Sequence, residues 1–85
     1  MRNIDPIIIL EKLENKINYR LDVIDYSIGS VTDNNIRKDC IRYTLDNLLS
    51  QDIIQKLEKI KRLKISNCHY KYAPEIRKTV IYYFL

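Results

Sequence analysis

The sequence predicts a mainly α domain that ends in a β-hairpin. Three observations carry this expectation. Apolar residues recur at three- and four-residue steps through most of residues 6–64, the mark of buried helix faces. One glycine and two prolines in 85 residues leave little room for a loop-rich fold. From Ile65 onward β-branched and aromatic side chains dominate, and Tyr70, Tyr72, Tyr82, Tyr83 and Phe84 crowd the C-terminal end. The alternative is an all-α four-helix domain, in which a helix starting at Pro74 sets Ile76, Val80 and Phe84 four residues apart. At this length the chain reads as a single domain over 1–85 with a modest core.

Asp5-Pro6 predicts a helix start, because an Asp N-cap accepts orphan amide hydrogens and Pro at the first helical position loses no needed donor. The helix is expected over 6–28, with Leu10, Leu13, Ile17, Leu21 and Ile24 along one stripe. At 1.5 Å per residue it would be roughly 33 Å long and would overhang so small a core. Its stripe is expected either to close the chain's own core or to pack against its mate in a homodimer. Gly29 is positioned to end it. Thr32-Asp33-Asn34-Asn35 offers the next N-cap, for a second helix burying Ile36, Cys40, Ile41, Leu45, Leu48 and Leu49. Ser50-Gln51-Asp52 predicts a break, although one unbroken helix over 33–64 fits the same spacing. The third helix then turns Ile53, Ile54, Leu57, Ile60 and Leu63 inward and Gln55, Lys59 and Arg62 outward on one face. Strands over 65–72 and 77–85, joined through Ala73-Pro74-Glu75, complete the hairpin.

Several function classes are disfavoured. No apolar run approaches the roughly 18–20 residues that cross a bilayer, and the N-terminus has no signal-peptide pattern. A soluble, intracellular and cytoplasmic protein is expected, in the nucleoid or nucleus if bound to DNA, with Cys40 and Cys68 as free thiols. A single histidine, His69, argues against a catalytic triad, and Cys68-His69 point to opposite faces of a strand, so neither enzymatic activity nor a metal or other cofactor is expected.

Charge points the other way, toward a polyanion. Residues 51–85 hold eight Lys/Arg against three acids, whereas residues 1–50 hold seven against eight, so the net +4 comes from the last third. In a basic helix followed by a hairpin, Gln55, Lys59 and Arg62 would read base edges in a major groove. Lys56, Lys61 and Lys64 would hold phosphates, with Arg77 and Lys78 beside them.

Helix, helix, basic helix and two-stranded hairpin over 33–85 is the element order of a winged helix-turn-helix. Within it, Pro74-Glu75-Ile76-Arg77-Lys78-Thr79-Val80 resembles the wing of MarR-type transcriptional regulators, where an acidic-x-Arg step opens the second wing strand. The resemblance implies a dimeric regulator or DNA-organising factor on duplex DNA, with Arg77 reaching a minor groove. Two other readings stay open: a helical adaptor or inhibitor that binds a protein partner through its basic face, and a single-strand or RNA binder in which Tyr70, Tyr72, Tyr82 and Tyr83 stack bases.

Overall fold

The structure is a computed structural model. It describes residues 5–46, 48–70 and 73–85, and their side chains except those of 67–70 and 73–77. The order of elements is α1 (Pro6–Ile17), β1 (Val23–Asp33), β2 (Ile36–Leu45), α2 (Gln51–Glu58), β3 (Leu63–Tyr70) and β4 (Ala73–Phe84). The four strands form one antiparallel sheet in the order β1-β2-β4-β3. The protein is therefore not mainly α, and the winged helix-turn-helix expected over 33–85 is replaced by a four-stranded sheet with two helices, which also excludes the four-helix alternative.

The N-terminal helix starts as expected. The Asp5 carboxylate accepts from the Ile7 amide at 2.9 Å, with Pro6 behind it. It ends eleven residues early, at Ile17 instead of 28, because Asn18 takes the left-handed conformation (φ 51°) and donates its amide to the Glu14 carbonyl. The Glu14 side chain then accepts from the Leu21 amide at 2.7 Å and turns the chain toward the sheet. Gly29, expected to be the helix stop, lies inside β1.

The expected second helix is instead the β1–β2 hairpin. Asn34 and Asn35 both have positive φ (50° and 64°), as a two-residue type I′ turn requires, and Asn accepts that conformation at low cost. Ile41, Tyr43 and Leu45 then alternate along β2. After the break at Ser50, α2 runs only to Glu58, and Lys59, Lys61 and Arg62 fall beyond its last turn. Ala73-Pro74-Glu75, read as the hairpin loop, belongs to β4.

Both helices cover one face of the sheet. Leu13 and Ile17 from α1, Ile53, Ile54 and Leu57 from α2, and Leu21 and Leu49 from the connections pack on Ile41, Tyr43, Leu45 and Ile81. The stripe expected to hold a dimer together is thereby divided. Leu13, Ile17 and Leu21 are buried in the protomer's own core, Leu10 lies partly buried against it, and Ile24 stands exposed in β1 beside a register shift. At 12 residues α1 is roughly 18 Å long and lacks the overhang expected of a helix over 6–28.

Tyr43 is fully buried, and its hydroxyl donates to the Pro6 carbonyl at 2.7 Å, tying α1 to β2. Burial raises the phenol's pKa far above its ordinary value, because an anion here would lose its hydration. A raised folded pKa means stability that is complete below the unfolded value of about 10 and is lost as pH climbs past it. Tyr43→Phe should cost about 0.5–1.5 kcal/mol at neutral pH. It should also flatten the decline above pH ~10, which urea unfolding followed across pH will read.

Candidate nucleic-acid interface

Side chains alternate along a strand, so the residues between the core positions must face the other way. On β2 these are Lys38, Cys40, Arg42 and Thr44. On β4 they are Lys78, Val80, Tyr82 and Phe84, and on β3 Lys64 and Ser66. None belongs to the helix-covered core. Antiparallel sheets commonly leave one face without a helix, and here neither helix packs on this second face, which buries Cys40 and Val80 and carries half-buried Tyr82 and Phe84 together with basic side chains.

Register brings them into rows. Tyr82 pairs with Arg42 on one side and Lys64 on the other, while Phe84 pairs with Cys40. The Arg42 guanidinium lies 5.8 Å from the centre of the Tyr82 ring, and the Lys38 ammonium lies 5.2 Å from that of Phe84. Both distances are within the reach of a cation–π attraction. Cys40 is fully buried, and desolvation holds its thiol protonated and inert.

One carboxylate organises the cations. Asp33, at the end of β1, sits 3.3 Å from the Lys64 ammonium and 3.4 Å from that of Lys38. Because β1 and β3 are the two outer strands, the Asp33–Lys64 pair ties one edge of the sheet to the other across β2 and β4. Hydrogen bonds from Lys64 and then Lys38 lower the Asp33 pKa. The clasp is therefore complete at neutral pH and opens as pH falls through the carboxylate's depressed value.

The basic residues singled out in the sequence do not form one surface. Gln55 and Lys56 are exposed on α2, and Lys59, Lys61 and Arg62 line a cleft with Lys12 and Lys16 of α1. Lys64 and Lys78 belong to the uncovered sheet face, so the expected helical face of Gln55, Lys59 and Arg62 does not exist. Arg77 pairs with His69, next to the terminal Tyr70–Ala73 pair of the β3–β4 hairpin and beside a register shift, so it lies near that tip; its side chain lies outside the described residues, as do those of Tyr70 and Tyr72. Of the tyrosines expected to stack bases, Tyr82 faces outward and Tyr83 packs against the core. Lys38, Arg42 and Phe84 were missed, although Lys38-x-x-x-Arg42 and Tyr82-x-Phe84 carry the alternating signal once both segments are read as strands.

Among the described residues no three His, Cys, Asp or Glu come together to hold a metal ion, and no helix is long and apolar enough to cross a membrane. The chain matches no family model, no curated protein and no solved structure.

Proposed function

We propose that this protein binds single-stranded nucleic acid on the uncovered face of its sheet. The observation that carries the reading is the pair Tyr82 and Phe84, two residues apart on a central strand and flanked by Arg42, Lys38 and Lys64. Two residues of strand span about 6.6 Å. Each ring can therefore meet a separate base of an unstacked strand, while the cations beside them turn to the phosphates. Base stacking on aromatic side chains tolerates any sequence, because every base has a π-face. A duplex hides its base faces, so its affinity on this surface rests on phosphate contact alone.

Asp33 supports the reading as an internal competitor. Its carboxylate occupies the two ammonium groups that a phosphate would use, so binding exchanges one anion for another.

The test is fluorescence anisotropy with a labelled single strand, as RNA and as DNA, and with the matching duplex, from about 50 mM salt upward. Single strands should bind more tightly than the duplex. The slope of log affinity against log salt should change by about 0.7 for each phosphate-holding cation lost. Arg42→Ala should flatten it by about that amount, whereas Asp33→Asn, which frees Lys38 and Lys64, should tighten binding and steepen it. Tighter duplex binding that is lost with Gln55 or Lys56 would favour a groove-reading helix instead. No binding at about 50 mM salt would sink the proposal.

A further inference from the structure

Lys12, Lys16, Lys59, Lys61 and Arg62 surround a cleft of about 530 Å³ between α1 and the turn that joins α2 to β3. Its apolar wall is formed by Ile9, Leu13, Ile60 and Tyr83, and no acidic side chain lines it among the described residues. The volume is in the range of small-molecule sites, roughly 300–1,000 Å³. Five like charges around one hollow repel each other, and Lys12 and Lys16, one helical turn apart, are a destabilising pair on their own. Among the described residues none of the five cations has an ion-pair partner.

The backbone adds an independent observation. Among the described residues four non-glycine residues have positive φ; three are asparagines in turns or at a helix end, and the fourth is Arg62, at 69°. A long side chain is disfavoured in that region, and such outliers persist where the surroundings over-determine them. Here the Arg62 carbonyl accepts from the Phe84 amide at 2.8 Å, which fixes the turn to the end of β4 and fixes Arg62 at the cleft. Glycine would relieve the strain, so what the arginine adds at this position is a guanidinium at the cleft.

We infer that the cleft binds a phosphorylated small molecule of nucleotide size. Its phosphates would lie among the lysines and Arg62, and its flat or apolar body against Ile60 and Tyr83. The site is separate from the uncovered sheet face, since Tyr83 points to the helix-covered side and Tyr82 to the other, and the inference does not depend on single-strand binding.

Calorimetry and thermal melting with ATP, inorganic pyrophosphate and adenosine test it. ATP should bind and raise the melting temperature. Pyrophosphate should bind more weakly than ATP, and adenosine should not bind detectably. ATP should leave a single-stranded oligonucleotide bound, whereas displacement at matching occupancy would merge the two sites and overturn the inference. Lys12→Gln with Lys16→Gln, on the exposed side of α1, should weaken ATP about tenfold or more without lowering the melting temperature of the free protein. Arg62→Gly separates strain from function: its melting temperature should hold or rise while ATP affinity falls about tenfold or more. Unchanged ATP affinity in either variant, a lower melting temperature for Arg62→Gly, or no binding of ATP or pyrophosphate to the wild-type protein at about 1 mM would overturn it.

Discussion

Tyr43→Ala should remove about 3–5 kcal/mol of stability, the range of a large aromatic deleted from a core. Tyr43 sits in the middle of the helix-covered face, fully buried between its ladder partners Tyr26 on β1 and Ile81 on β4, with its hydroxyl spent on the Pro6 carbonyl. Truncation opens a cavity and removes that tie to α1. A chain of this length has a total stability of about 4–13 kcal/mol. The variant should therefore be largely unfolded, or close to it, at 25 °C. Tyr26 supplies the contrast: it is Tyr43's register partner but is exposed on the edge strand, and Tyr26→Ala should cost under about 1 kcal/mol. Urea titrations of the two variants read this directly. Equal and small losses would mean that residues 23–45 do not pair as β1 and β2.

The contrast also shows why the sequence misled about this region. Ile36, Cys40, Ile41 and Leu45 fall at helical steps, but Ile41, Tyr43 and Leu45 fall equally well at strand steps, and a short apolar pattern cannot arbitrate between them. The deciding signal was Asn34-Asn35, which can be a helix cap or a type I′ turn, and only the second brings two strands together. Asn18 shows the same ambiguity at the end of α1, where a left-handed asparagine stops a helix whose apolar spacing continues through Leu21 and Ile24. What could be read locally was read correctly: the Asp5-Pro6 start, the break before Gln51, and the strand character of the β-branched, aromatic end.

The site was legible only in part for the same reason. With α2 taken to residue 64, Lys59 and Arg62 shared a face with Gln55; with α2 ending at Glu58, they move into the cleft and Lys64 moves to the sheet. The sequence offered Tyr82 and Tyr83 together as stacking residues. Strand alternation separates them, assigning Tyr82 to the face with Phe84, Arg42 and Lys38.

The second large effect follows from that face. Tyr82→Ala and Phe84→Ala should each weaken single-strand binding by about 1–3 kcal/mol, the usual worth of a base stacked on an aromatic side chain. Because both rings are partly buried, Tyr82→Leu and Phe84→Leu should accompany them. Leucine retains most of the buried apolar surface but offers no π-face, so these variants should stay folded and still bind weakly. Tyr82→Phe should bind nearly as the wild type does. None of these should change the salt slope, since a ring releases no counterions, and that separates them from Arg42→Ala.

The most direct measurement is an NMR titration of the labelled protein with a short single-stranded oligonucleotide, following ring and amide signals. The Tyr82 and Phe84 ring protons should move upfield as bases stack on them, and the largest amide shifts should fall at Arg42, Lys64, Tyr82 and Phe84. Shifts confined to α2 and the cleft, at Lys12, Lys59 and Lys61, with the Tyr82 and Phe84 rings unmoved at saturation, would contradict the uncovered sheet face as the binding surface.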